Sequence, residues 1–391
     1  MSHRKGLEVS LGISEAIKAC DVDVISAYPI TPQTHIVEKL SEIVAEGELD
    51  AEFIMVESEH SAMAACCGAA AAGARTFTST ASQGLQLMSE IVYIASSMRL
   101  PIVMAVANRS LSGPLSIWGD HLDVMANRDS GWIKYFVENG QAAHDHMFMA
   151  YRVAENPKVL LPVMVNLDGF QLTHVIEPIE LIEAEELGDF IPPFIPQIQL
   201  NPLEPVTMGP AGTPAMFTEG KKAQEAALRD SRPVIDEAWE EFGKRFGRNY
   251  KAVETYYTDD AEVIILGMGG LTGTAKSAVR SMRADGRKVG MINLRLFRPF
   301  PDEDLHKVLS GVKVVAVCDR AMSYGGPGGP VASELKTSFY GHPDAPYIAS
   351  FILGLAGRDV RTGDFEHVAR LAEELADIGD PAPYELIGLR E

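Results

Sequence analysis

The 391-residue sequence has only four cysteines, Cys20, Cys66, Cys67 and Cys318, and no two of them form a Cys-x-x-Cys pair. Without that spacing the chain encodes neither a zinc knuckle nor an iron–sulfur ligand run. Any electron-carrying clusters that serve this protein must sit on another chain. Cys66 and Cys67 stand among alanines and read as buried free thiols. Basic residues are also scarce: 34 Lys and Arg stand against 54 Asp and Glu, a net charge of −20. A field of that sign repels phosphate backbones, so nucleic acid is excluded as a partner. No apolar run approaches the roughly 18 residues of a membrane span. The basic start MSHRKG is not followed by the apolar stretch a secretory leader needs. These absences together predict a cytoplasmic protein with no membrane contact.

What is present is an alternation of helical and strand patterns. Helical spacing over Val9–Ala19 precedes the apolar run Val22–Ala27, and a second helix over Thr34–Ala45 precedes Glu52–Val56. An Ala-rich stretch, His60–Ala72, leads to the β-prone Arg75–Thr78 and then to an apolar helix over Leu85–Ser97. Pro101–Ala107 and Val159–Val165 are continuous apolar runs between helices, as expected of central parallel strands covered on both faces. The fold class is therefore α/β.

Three regions follow from this pass. Residues 1–180 form a first unit. Residues 181–255 form an arm and connecting helix, because the prolines between 192 and 214 cannot donate to a helix or sheet interior. Residues 256–391 form a second α/β unit, with strands expected at Glu262–Leu266, Lys288–Leu294 and Val312–Cys318.

In open α/β sheets, ligands bind beyond the carboxyl ends of the strands, and four polar clusters fall at such places. In Tyr28-Pro29-Ile30-Thr31-Pro32, two prolines stiffen the backbone around one hydroxyl. The same string also reads as a helix start, with Thr31 as N-cap and Pro32 at the first helical position. Glu59 follows Val56-Glu57-Ser58 and opens the helix of small residues. The macrodipole alone favours a carboxylate there, but small neighbours also let a flat ligand approach. Ser82 and Gln83 lie in a polar turn, Thr80–Gly84. Arg109 ends the most apolar strand, where its guanidinium must find carbonyls, a structural anion or a substrate carboxylate.

Three other strings carry less. Trp118-Gly119-Asp120-His121-Leu122-Asp123 resembles a metal site but lacks a further ligand at suitable spacing. Asp168-Gly169-Phe170 reads as a turn. The glycine cluster Gly267–Gly273 lacks the acidic residue that a dinucleotide-binding unit places after its next strand, where Asn293-Leu294-Arg295 stands instead.

Taken in order, YPITPQT (28–34), VESEHSA (56–62), TASQGL (80–85), NRSLS (108–112), RDSGW (128–132) and LRLFRPFP (294–301) resemble the alpha subunit of the 2-oxoacid:ferredoxin oxidoreductase family, its pyruvate branch above all. The resemblance implies that residues 1–180 are the pyrimidine-type thiamine-diphosphate-binding domain and that 256–391 are a transketolase C-terminal-like α/β domain. It implies oxidative decarboxylation of pyruvate to acetyl-CoA and CO2, with coenzyme A as co-substrate and electrons passed to ferredoxin.

Glu59 is then the partner of the pyrimidine N1′, and Thr31 and Arg109 face the substrate. Tyr28, Pro29, Ser82 and Gln83 lie on the cofactor. The family's diphosphate signature, Gly-Asp-Gly with a later Asn, is absent here. The resemblance therefore places the diphosphate and Mg2+ on a beta-type partner. Iron–sulfur clusters go to gamma-type and ferredoxin-like subunits, in a dimer of hetero-oligomers; no metal is expected on this chain. A branched-chain 2-oxoacid enzyme and a non-catalytic assembly subunit are the alternatives. Thr31 is neutral and Arg109 the one evident cation, which suits a monocarboxylate.

Overall fold

A computed structural model describes residues 3–379 and 384–390. Its strands are, in chain order, β1 (His3–Glu8), β2 (Val24–Ser26), β3 (Glu52–Ile54), β4 (Thr76–Thr80), β5 (Val103–Asn108), β6 (Ile133–Phe136), β7 (Val163–Asp168), β8 (Ile176–Leu181), β9 (Val253–Tyr256), β10 (Val263–Gly267), β11 (Val289–Leu294), β12 (Leu296–Arg298), β13 (Val314–Asp319), β14 (Tyr347–Ile352) and β15 (Glu385–Leu386).

Two open sheets dominate. The first has seven strands in the order β12-β6-β7-β5-β4-β2-β3, all parallel except the edge strand β12. The second has six, β15-β14-β13-β10-β11-β9, with only β9 antiparallel. A small antiparallel ribbon pairs β1 with β8. The strand β12 leaves the second half of the chain and joins the edge of the first sheet. It is the core of the LRLFRPFP string, whose Arg295 is buried in an ion pair with Glu138 at 2.6 Å.

The apolar runs are buried because both faces are covered. Along β5, Val103 and Ala105 enter a core shared with helices Val9–Ala19 and Gly140–Ala154. Met104 and Val106 point the other way, into a cluster that Ile264, Leu266, Val315 and Val317 of the second sheet also enter. One apolar cluster, filled in by helix residues such as Met63, Leu85, Leu305 and Leu335, thus joins the two sheets. Cys66 lies buried in this cluster, and burial pushes its thiol up to about 12.

Two local expectations need correction. The apolar helix over Leu85–Ser97 is two helices, Ser82–Leu87 and Ser89–Ser97, broken at Met88. Ser89 there hydrogen-bonds Asn127 at 2.5 Å, a contact no periodicity could announce. The helix after Pro32 starts at Thr34 with Gln33 as its N-cap residue, so Thr31 caps nothing.

Residues 191–213 run without regular helix or strand apart from one isolated bridge, as their prolines predict. They lead into a long helix, Pro214–Phe246, that ends at Gly247 with φ +73°. A groove of about 310 Å3 between this arm and Arg99–Pro101 opens at the amino ends of the strands, away from the loops described next. No helix among the described residues is long and apolar enough to cross a membrane.

Candidate active site at the carboxyl ends of the first sheet

The chain leaves β2 for β3 on one side and then crosses to β4 on the other, so strand order reverses between β2 and β4. A crevice forms at such a reversal because the two following loops diverge. The loops that meet there carry Thr31, after β2, and Gln83, after β4. The loop after β3 brings Glu59, and the loop after β5 brings Arg109.

The loop after β2 is pinned from below. Gln33 is fully buried and donates to Ser79 O at 2.9 Å and to Ser79 Oγ at 2.7 Å, while its Oε1 accepts from Ile30 N–H at 3.3 Å. Tyr28, Pro29 and Thr31 are left exposed on the rim.

Glu59 is the first residue of helix Glu59–Ala71, behind an N-cap Ser58 whose hydroxyl accepts from Ser61 N–H at 3.2 Å. Only 7% of Glu59 is exposed. Its carboxylate lies flush against Gly84: a Cβ there would fall 2.6 Å from Glu59 Oε1 and 2.5 Å from Thr80 Oγ1. Thr80 Oγ1 is itself buried without a partner. Glu57, two residues earlier, is exposed and takes its hydrogen bond from Ser61 Oγ.

Arg109 is 6% exposed. Its Nη1 donates to Thr31 O at 2.7 Å and its Nη2 to Gln83 Oε1 at 3.3 Å. Burial lowers its affinity for a proton, while Asp123 and Glu59 act in the opposite direction. The guanidinium thus bridges two of the predicted clusters and feels the charge of a third. Ser82 adopts φ +48°, an unusual backbone for a residue with a Cβ. It is held by Ser82 N–H to Asp123 Oδ2 at 2.9 Å and by Ser82 Oγ to Ser110 O at 2.6 Å. Its hydroxyl is therefore turned inward, its single proton facing both Ser110 O and Gln83 Oε1, each 2.6 Å away.

The structure brings Thr31, Glu59, Gln83 and Arg109 to one end of one sheet, and it adds residues that sequence reasoning passed over. Asp123 is fully buried and staples two loops. Its Oδ2 accepts from the backbone N–H of both Ser82 and Arg109, and its Oδ1 from Asn108 Nδ2 at 3.0 Å. Burial raises the pKa of this carboxyl, which these donors offset in part. The string at 118–123 is thus structural: Asp120 accepts from Leu122 N–H and Ala356 N–H, and His121 meets Asp168 at 3.0 Å. The signal available in sequence was an Asp in a first helical turn beside two further polar residues, which does not name partners.

Asp168 makes its turn and does more. Its Oδ2 accepts from Gly270 N–H at 2.6 Å, and its Oδ1 pairs with Arg320. Burial disfavours its charge, yet Arg320 and His121 hold the carboxyl well below the usual range. A side chain of the first sheet therefore already occupies the glycine cluster's helix entry.

Comparison with known proteins follows the same lines. A family model described as "Pyruvate flavodoxin/ferredoxin oxidoreductase, thiamine diP-bdg" matches residues 15–240, and one described as "Pyruvate:ferredoxin oxidoreductase core domain II" matches 261–365. The pyruvate synthase subunit PorA of Methanocaldococcus jannaschii is 48% identical over 93% of this chain and 93% of its own. The ketoisovalerate oxidoreductase subunit VorA of Pyrococcus horikoshii is 43% identical over 92% of this chain and 91% of its own. Among solved structures, a 2-oxoglutarate:ferredoxin oxidoreductase from Magnetococcus marinus superposes with a TM-score of 0.68 at 19% identity, covering 96% of this chain and 66% of that one. This chain thus spans just under two thirds of that structure, and at such identity the likeness is one of fold.

Proposed function

The chain belongs to the pyruvate flavodoxin/ferredoxin oxidoreductase family, and from that premise we propose that it is the pyrimidine-binding subunit of a cytoplasmic pyruvate:ferredoxin oxidoreductase. The observation that carries the site assignment is the convergence of Glu59, Gln83 and Arg109 with the Thr31 loop at the strand-order reversal.

The residues fit the aminopyrimidine half of thiamine diphosphate. A nearly buried carboxylate, an unpartnered Thr80 hydroxyl and a glycine backbone with no room for a Cβ lie together, and such polar groups suit the edge of an aminopyrimidine. When bound, the cofactor supplies the electron sink that makes decarboxylation of a 2-oxoacid possible.

This chain's own part is to orient and to move protons. Glu59 would hold the pyrimidine N1′ through a hydrogen bond and keep a proton at its own carboxyl for it. Arg109, already fixed by two carbonyl oxygens, offers its remaining N–H groups to the substrate carboxylate. The Thr31 hydroxyl, on the exposed rim of the loop that Arg109 holds, would serve the reacting carbonyl. Tyr28 and Pro29, exposed on the rim, would lie against the ring, with Gln83, held by Ser82, as a further wall. Close packing beside Gly84 leaves little of Glu59 open to water. A beta-type partner supplies the diphosphate and Mg2+ site, and gamma-type and ferredoxin-like subunits carry electrons to ferredoxin. Coenzyme A takes the acyl group.

The test is coenzyme-A-dependent viologen reduction by the anaerobically purified complex, with pyruvate, 2-oxoisovalerate, 2-oxoglutarate and oxalate in parallel. A dominant pyruvate rate is expected. A dominant 2-oxoisovalerate rate would move the assignment to the branched-chain enzymes, a reading favoured by the 43% identity to a ketoisovalerate oxidoreductase subunit. No reduction with any of them, with thiamine diphosphate bound and clusters intact, would leave a non-catalytic assembly subunit.

A further inference from the structure

We propose that Arg320, on the second sheet, is a positioning residue for the substrate site on the first. It acts through the 119–123 segment and Asp123 on Arg109. The proposal rests on the functional reading above and gives the second sheet a task within it.

Arg320 follows β13 directly and is almost completely buried. Its side chain reaches across to the first sheet, where Nη1 pairs with Asp168 Oδ1. Nη2 donates to Gly119 O at 2.7 Å and to Gln171 Oε1 at 2.8 Å, and also meets Gly354 O at 3.2 Å. Its own carbonyl accepts from His121 N–H at 2.9 Å. Residues 119 and 121 are therefore both hung on this one arginine, one through a carbonyl and the other through an amide. His121 is further tied by its ring to Asp168, the same carboxylate that Arg320 and Gly270 N–H engage.

Two residues beyond His121 stands Asp123, which fixes the backbone of Arg109 and of Ser82. The packing leaves no slack in this relay. A Cβ on Gly119 would fall 2.7 Å from Gly169 O, and one on Gly169 would fall 2.5 Å from Asn108 O. A shift of the 119–121 segment is therefore transmitted to Asp123, and from Asp123 to the residue that binds the substrate carboxylate and to the wall beside it. The planar guanidinium serves four acceptors at once. A lysine ammonium at this position keeps the charge on Asp168 but cannot span the others.

The test uses Arg320→Lys in the intact complex, with cluster and thiamine diphosphate content measured first. The KM for pyruvate is expected to rise about tenfold, as for residues that modulate a site through a network, with a fall in kcat of no more than about threefold. Coenzyme A KM is expected to stay unchanged. A cycle with Arg109→Lys supplies the readout that a merely structural role would not move. If Arg320 acts through Arg109, its effect on KM shrinks towards none in the Arg109→Lys background, whereas independent effects multiply.

Hydrogen exchange provides a measure that needs no turnover. In Arg320→Lys the amides of Ser82 and Arg109 are expected to exchange faster, while those of β14 do not change. Multiplicative KM effects, or exchange at Ser82 and Arg109 equal to wild type, would overturn the proposal. If the wild-type complex turned over none of the 2-oxoacids, the functional reading would fall, and the exchange measurement would still decide whether Arg320 holds this segment.

Discussion

Arg109 donates a 2.7 Å hydrogen bond from Nη1 to the carbonyl of Thr31, joining the loops after β2 and β5 across 78 residues of chain. With the contact to Gln83 Oε1 at 3.3 Å, the guanidinium is oriented before any substrate arrives. Pre-orientation of a planar fork is what a lysine cannot reproduce. Arg109→Lys is expected to raise the KM for the 2-oxoacid about 10–100-fold through loss of a bidentate contact, with a smaller effect on kcat. Steady-state kinetics with pyruvate checks it, and an unchanged KM would remove Arg109 from the substrate.

Glu59→Gln keeps shape and polarity but cannot hold and release the proton. Turnover is expected to fall about 10²–10⁴-fold, the usual contribution of a positioned acid–base group. Thiamine diphosphate content should be measured alongside, so that loss of cofactor is not mistaken for loss of chemistry. Near-normal turnover in a loaded variant would end the assigned role.

Gly84→Ala puts a methyl group 2.5 Å from Thr80 Oγ1 and 2.6 Å from Glu59 Oε1, distances at which something must move. Overpacking of this kind costs about 1–3 kcal/mol. The variant is expected to lose turnover, because the displaced carboxylate is the one proposed to meet the pyrimidine. Thermal unfolding and activity of the same preparation check both; full activity would mean that Glu59 needs no fixed position.

Asp319 is fully buried at the end of β13, where its oxygens accept from Val331 N–H at 2.9 Å and Ala332 N–H at 3.2 Å. Burial pushes its carboxyl up to about 7, and the two backbone donors only partly offset this. Between the unfolded value near 3.8 and 7 the folded chain holds more protons than the unfolded one, so stability falls as pH rises through that window. Asp319→Asn is expected to flatten the slope of stability against pH between about 4 and 7. Denaturant midpoints at several pH values measure it, and an unaltered slope would show that Asp319 does not titrate there.

Strand β5 was legible as a continuous apolar run, since both of its faces are buried, whereas the run Val159–Val165 covered only the first half of β7, which goes on through the buried Asn166 to Asp168. The helix Val9–Ala19 was legible to its ends from spacing alone. Boundaries failed where a side chain from a distant segment intervened, as at Met88 and Gln33.

The sequence by itself determined the α/β class, the proline-broken arm and the polar clusters proposed above to carry chemistry. Thr31, Glu59, Gln83 and Arg109 each follow a strand, and a strand's end is a local property of the chain. Only the tertiary structure decided which of them meet. It also turned Asp123 and Asp168 from ordinary acidic residues into anchors. Asp168 and Arg320 are 152 residues apart, and their pairing depends on two sheets sharing one apolar cluster. Hydrophobic periodicity records which face of an element is buried, but a buried charge is set by whatever the fold brings opposite it.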